Sequence, residues 1–233
     1  MDSSKSDVKL DWRRTAQTGL PEVVLGQSKS IDQLLSIVDS CIAEKRMIFM
    51  TRIASDKADA LIERFADKIY YHVESRTLSV GITTQTDANS ESDDVAQVAI
   101  VSAGTSDTPV VAEIEQTLRY LGVSSDRYID VGVAGLWRLT DIAEQLNQYP
   151  VIVAVAGMEG ALFSVLAGLV KAPVVAVPSS VGYGVSAGGH IALHSALSSC
   201  SPGLAVVNID NGFGAAALAV KILNASGACD VSL

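Results

Sequence analysis

The sequence is poor in cysteine, in positive charge and, over its second half, in charge of either sign. Its 233 residues include three cysteines, Cys41, Cys200 and Cys229, an odd number at wide spacing. That excludes a disulfide framework and a zinc-ligand spacing, and it fits a reducing, cytoplasmic setting. Lysine and arginine total 17 against 26 aspartates and glutamates, for a net charge of −9. An open, nonspecific binder of nucleic acid would be basic, so nucleic acid is not an expected partner. Apolar runs are broken by Gly, Ser or Pro well short of the roughly 20 residues that cross a bilayer, so no membrane partner is expected either. The opening MDSSKSDVKLDWRR has no apolar h-region of a signal peptide. At 48% apolar residues the chain is too hydrophobic to be disordered.

What remains is unevenly distributed. Residues 1–94 hold 28 of the 43 charged residues, whereas 15 of the 18 glycines follow Asp94. After Glu144 only Glu159, Lys171, Asp210, Lys221 and Asp230 are charged. A stretch this apolar forms a large interior or buries surface in an oligomer.

The pattern divides the chain into a small α+β region with a linker (residues 1–90) and an α/β domain (residues 91–233). Ser30 to Ala43 has the 3.6-residue apolar period of an amphipathic helix, with Ser30 and Gln33 at capping-box positions. Met47–Thr51 and Tyr70–Val80 are strand-like, Ser55–Phe65 is helical, and the polar run Thr83–Asp94 is a linker. Strands are then expected at Val95–Val101, Tyr128–Val133, Val151–Ala156, Val174–Val177 and Leu204–Ile209, each followed by a helix. The fourth of these helices is expected after Gly184, to about Leu197, and the last after Gly214. Continuous Val/Ile/Ala strands alternating with helices predict a doubly wound parallel sheet covered on both faces.

In such a fold the loops that follow the strands share one edge, where ligands bind. Those loops hold the candidate binding residues: Gly104 and Thr105; Gly132 and Gly135, with Trp137 beyond them; Gly157, Met158 and Gly160; Ser179, Ser180, Gly182, Tyr183 and Gly184; and Asp210, Asn211 and Gly212. Gly104–Asp107 joins a strand to a helix N-terminus, which suits a phosphate or carboxylate; Thr105, Ser106 or Asp107 could equally serve as caps. Glu159, among apolar neighbours and between glycines, could have a raised pKa and move a proton; a first-turn glutamate also complements a helix dipole. By residue type alone Cys200 is a small buried hydrophobe. His190 and His194, one turn apart, could assist a thiolate or bind a metal, or simply pack. Gly212-Phe213-Gly214 only partly matches a dinucleotide fingerprint, because no further strand follows to carry a ribose-binding acid.

Laid out in order, RRTAQTGLPEVVLGQSK, GTSDTPV, DVGVAGLWRL, AGMEGALFSVLAGLVKAPVVAVPSSVGYG, SSCSPG and VVNIDNGFGAA resemble the LarB family over nearly the whole chain. The GTSD loop and its surroundings also resemble the PurE family of aminoimidazole ribonucleotide carboxylases and mutases. The resemblance implies a PurE-like, flavodoxin-like three-layer domain. It also implies a role in biosynthesis of the nickel-pincer nucleotide cofactor of lactate racemase. LarB proteins carboxylate the pyridinium ring of nicotinic acid adenine dinucleotide at position 5 and hydrolyse its phosphoanhydride. The products are AMP and pyridinium-3,5-biscarboxylic acid mononucleotide.

The resemblance implies Cys200 as nucleophile, Glu159 in proton transfer, and Ser106 and Asp107 orienting a carboxyl group or carbon dioxide. Its implied co-substrate is CO2 or bicarbonate, with Mg²⁺ for hydrolysis and no tightly bound organic cofactor; the metal ligands are not specified. The implied assembly is a homo-oligomer, an octamer as in PurE-like folds. The chain departs from the family at Trp137 (usually His), Phe163 (usually Pro) and Ser198 (usually Asn). Two rival readings are a PurE-like mutase or carboxylase, which needs no thiol, and a noncatalytic nucleotide-binding assembly protein.

Overall fold

The computed structural model describes residues 8–81 and 96–227, which form two compact units. The linker assigned to Thr83–Asp94, the start of the strand assigned to Val95–Val101, and Cys229 lie wholly or partly outside the described residues.

The first unit is a four-stranded sheet in the order β1-β2-β4-β3 with helices beside it. In chain order it holds α1 (Arg14–Thr18), β1 (Val23–Leu25), α2 (Ile31–Ala43), β2 (Ile48–Thr51), α3 (Ser55–Phe65), β3 (Ile69–His72) and β4 (Thr77–Val80). The α2 boundary follows from its capping box: Ser30 Oγ accepts the Gln33 N–H at 3.2 Å, and Gln33 Oε1 accepts the Ser30 N–H at 3.0 Å. Leu34, Ile37, Val38 and Cys41 make its buried face. The single strand expected at Tyr70–Val80 is instead a hairpin, β3 paired antiparallel with β4. Its turn is set by polar side chains, with His72 Nδ1 and Ser75 Oγ 2.9 Å apart and Ser75 Oγ 2.7 Å from Thr77 Oγ1.

The second unit is an α/β domain with five parallel strands in the order β6-β5-β7-β8-β9. These are β5 (Val98–Ser102), β6 (Ser125–Tyr128), β7 (Val151–Ala156), β8 (Val174–Pro178) and β9 (Leu204–Val206). The helices are α4 (Thr108–Tyr120), α5 (Leu136–Leu146), α6 (Ala161–Leu169), α7 (His190–Leu197) and α8 (Gly212–Ser226). Every residue of β5, β7 and β8 is buried, as continuous apolar strands require when both faces are covered. α4 packs on α8, and α6 packs against both α5 and α7. This is the expected doubly wound, flavodoxin-like layering.

Several boundaries differ from the expectation. The second strand of this sheet is Ser125–Tyr128, upstream of Tyr128–Val133, because an edge strand with two exposed residues needs no apolar run. The last strand stops at Val206, not Ile209, and its helix begins at Gly212. The helix expected after Gly184, to about Leu197, is broken, since Gly188 and Gly189 have φ of 77° and 78°. A short 3-10 segment precedes the break and α7 follows it.

The strand order positions the site. β6 lies on one side of β5 and β7 on the other, so the connections diverge at the carboxyl ends of β5 and β7. A crevice opens at such a switch point.

Candidate functional site

A pocket of about 340 Å³ occupies that crevice. Its walls are the loop after β5 (Gly104, Ser106, Asp107), the loop after β6 (Gly132, Val133, Ala134) and the turn from β7 into α6 (Gly157, Met158, Glu159, Gly160), with Val181 closing one side. The turn into α6 must pass very close to its neighbour. A Cβ on Gly157 would stand 2.1 Å from the Val181 backbone oxygen, and Met158 donates its N–H to that same oxygen at 3.0 Å. Met158, Asp130 and Asp210 hold left-handed backbones, with φ of 54°, 63° and 52°. All three lie in loops that follow strands of this sheet, and strain of this kind concentrates at working edges.

Asp107 is the buried acid of the pocket. It ends the 3-10 turn Thr105–Asp107 that leads into α4 and is 3% exposed. Its Oδ2 accepts the Gly104 N–H at 3.0 Å, while the buried Oδ1 has no hydrogen-bond partner among the described residues. Burial pushes the carboxyl above the usual aspartate range, and the negative charge of Asp210 adds to the rise. The hydroxyl of buried Ser179 stands beside the carboxylate and, with the Gly104 N–H, offsets part of this, though it makes no aligned bond to Oδ1. Asp210 is itself fixed: its Oδ1 accepts the Ser180 N–H at 2.8 Å, and its N–H is donated to Pro178 at 2.8 Å.

The predicted residues divide into three groups. Gly104, Ser106, Asp107, Gly132, Gly157, Met158, Glu159 and Gly160 line the pocket, and Ser179 and Asp210 reach it through Asp107. A second group flanks it without lining it: Thr105, Gly135, Trp137, Ser180, Gly182, Tyr183 and Gly184. The third group is engaged elsewhere. Asn211 caps α8, its Oδ1 accepting the Gly214 N–H at 3.0 Å. Gly212 is buried and donates its N–H to Glu113 Oε2 at 3.1 Å, so that N–H is not open to a ligand.

Two expectations change. Glu159 lines the pocket from an exposed position, so a single chain does not give it the apolar enclosure its neighbours in sequence implied. Cys200, also exposed, does not line the pocket at all. It precedes β9, whereas the pocket lies at the carboxyl ends of β5 and β7. Its neighbours are tied to α6: Ser199 and Ser164 share a hydrogen bond at 2.7 Å, and Ser201 Oγ donates to the Ser164 carbonyl at 2.8 Å. His190 and His194 are exposed. Phe163 is fully buried on the inner face of α6, and Ser198 Oγ donates to the His194 carbonyl at 2.7 Å, so both departures have local structural roles.

Among the described residues no group of three or more His, Cys, Asp or Glu side chains could hold a metal ion. No helix among them is long and apolar enough to cross a membrane. Sequence reasoning missed Glu113, whose carboxylate fastens the start of α8 across 99 positions. Nothing local in the sequence signals a contact at that separation.

Comparison with known proteins agrees with this arrangement. Residues 4–82 match the LarB/PurE-like N-terminal domain, and residues 97–229 match the AIR carboxylase family. This chain belongs to the LarB family. The LarB-type first domain is joined to a PurE-like domain of the carboxylase type. An uncharacterized protein of Methanocaldococcus jannaschii is 38% identical over 227 residues, spanning 93% of this chain and 85% of that protein. Two crystal structures from Treponema denticola are similar to part of this chain. PurE is 22% identical with a TM-score of 0.47, covering 55% of this chain and 80% of that chain. A PurE2 variant is 22% identical with a TM-score of 0.45, covering 55% and 79%.

Proposed function

We propose that this LarB-family chain carboxylates the pyridinium ring of nicotinic acid adenine dinucleotide at position 5 and hydrolyses the phosphoanhydride, releasing AMP. The observation that carries the reading is the pocket at the β5/β7 switch point, which Asp107 and Glu159 both line. The first residues of α6, Ala161 and Leu162, line the same crevice, and the backbone N–H groups of a helix start suit a phosphate or carboxylate.

The chemistry calls for a thiolate. A pyridinium ring is electron-poor, so its carbon 5 does not attack carbon dioxide. When the Cys200 thiolate adds at carbon 4, a carbon–sulfur bond forms and the ring electrons move to nitrogen, leaving a neutral dihydropyridine. Carbon 5 is then an enamine carbon and bonds to carbon dioxide. Glu159 takes the carbon-5 proton, and expulsion of the thiolate restores the aromatic ring. Ser106 and Asp107 orient the substrate carboxyl group or carbon dioxide from the pocket wall, where the buried Asp107 Oδ1 has no hydrogen-bond partner among the described residues. Water then cleaves the phosphoanhydride to AMP and the mononucleotide. Were Mg²⁺ bound, Asp107 and Asp210 would be the carboxylates of this site nearest to it, and it would neutralise phosphate charge.

The position of Cys200 outside its own chain's pocket has a consequence for assembly. In this reading the pocket of one chain is completed by Cys200 of another copy, in a homo-oligomer.

A second reading has one observation in its favour. The pocket of a single chain holds Ser106 and Asp107 without a thiol, which suits a PurE-like carboxylase or mutase acting on aminoimidazole ribonucleotide. The test is incubation with nicotinic acid adenine dinucleotide, bicarbonate and Mg²⁺, followed by mass spectrometry. AMP and a pyridinium product heavier by one carboxyl group support the first reading, and their absence overturns it. Conversion of aminoimidazole ribonucleotide by both the wild type and Cys200→Ala supports the second.

A further inference from the structure

Trp137 is 65% exposed, an unusual state for an indole on the first turn of a helix beside a pocket. Its placement is not loose. A Cβ on Gly135 would stand 3.5 Å from the indole Nε1 and 3.2 Å from Arg138 Nε, so both side chains lie back over the loop that carries Gly132, Val133 and Ala134 into the pocket wall. The Arg138 guanidinium is 5.7 Å from the indole centroid. It is anchored in turn to Asp130, with Nη1 donating to the carboxylate at 2.7 Å and to the carbonyl at 3.0 Å. The indole therefore forms a buttressed flat ledge next to the cavity.

We propose that this ledge is the stacking platform for the adenine ring of the dinucleotide, an inference that rests on the function proposed above. Position decides between the two rings. The residues proposed for the chemistry, Asp107 and Glu159, line the pocket, so the reacting ring occupies the cavity. Trp137 stands outside that lining, on the helix that follows the Gly132–Ala134 wall. The remaining flat ring of the dinucleotide is the adenine, and an exposed indole offers it a stacking face. The dinucleotide is thus oriented with its reacting ring in the cavity and its leaving AMP on the ledge.

The sequence holds two tryptophans, so Trp12→Phe leaves Trp137 as the sole indole reporter. That variant is titrated with AMP alone and with nicotinic acid mononucleotide alone. Saturable quenching by AMP, with little by the mononucleotide, is the expected result. Quenching by the mononucleotide alone, or by neither, overturns the proposal. In turnover of the dinucleotide, Trp137→Ala is expected to raise KM by about 5- to 150-fold, the range for loss of one base stack. kcat should stay within a few-fold, and Trp137→Tyr should recover most of the loss. A fall in kcat at unchanged KM overturns the stacking role. If the protein does not turn over the dinucleotide at all, the proposed function fails, while the AMP titration still decides whether the ledge takes a purine.

Discussion

Asp107 holds the Gly104 N–H through Oδ2 at 3.0 Å and keeps its other carboxylate oxygen buried without a hydrogen-bond partner among the described residues. The arrangement links stability to pH. Burial, helped by Asp210, raises the folded-state pKa of Asp107 above its unfolded value. Between those two values the native state binds more protons than the unfolded state, so stability falls as pH rises through that window, which starts at roughly pH 4. Asp107→Asn removes this contribution. Chemical denaturation from acid to neutral pH is expected to show a smaller decline in the variant than in the wild type. An identical pH slope in both would show that the carboxyl is not held above its ordinary range.

The turn from β7 into α6 makes a sharper prediction about stability. At Gly157 an added methyl meets the Val181 carbonyl oxygen, a backbone atom that cannot rotate away. Gly157→Ala is expected to destabilise by about 1–3 kcal/mol, as overpacking does. Gly104 is the control from the same pocket. Its φ is −140°, and a Cβ there would approach nothing closer than 3.8 Å. Gly104→Ala should leave the denaturation midpoint nearly unchanged, and equal losses in the two variants would refute the steric account.

The cysteines differ in accessibility in a way that mass spectrometry can read. Cys41 is fully buried, and burial, with Glu44 nearby, pushes its thiol up to about 11. Cys200 is exposed. Brief alkylation of the native protein, followed by peptide mapping, should label Cys200 and spare Cys41 until denaturant is added. Nicotinic acid adenine dinucleotide should protect Cys200. Undiminished labelling in the presence of saturating dinucleotide would count against Cys200 as the nucleophile.

The fold was legible where local signals and tertiary structure agree. β7, Val151–Ala156, reads as a buried strand because it has no polar alternation, and α2 announces its start through Ser30 and Gln33. Misplacements fall where the local signal is weak or shared. β6 is an edge strand spelled Ser-Asp-Arg-Tyr, so the apolar residues just downstream draw the assignment away from it. The β3–β4 turn is made by His72, Ser75 and Thr77, polar residues that a strand can also carry. The site was legible as a set of glycine-rich loops on one edge. Its geometry was not, because strand order decides which loops meet. Ser179 and Asp210 flank Asp107 only through the positions of β8 and β9 in the sheet. The family resemblance implies Cys200 and Glu159 for one site without saying which chain supplies each.

That last point yields the most decisive prediction. If Cys200 acts in its own chain's pocket, the cysteine segment must leave α6, breaking the Ser199–Ser164 and Ser201–Ser164 hydrogen bonds. If it acts in a neighbour's pocket, the observed packing can stay as it is. Two variants that are inactive alone distinguish these cases. Cys200→Ala keeps an intact pocket, and Glu159→Gln keeps an intact thiol. When the two are co-expressed in equal amounts, a site shared between copies draws each intact half with a probability of one half. About one quarter of wild-type carboxylation should return. A site built within one chain gives no recovery, because every chain carries one defect. Recovery would also show that the exposure of Cys200 in the isolated chain is the complement of a pocket in another copy.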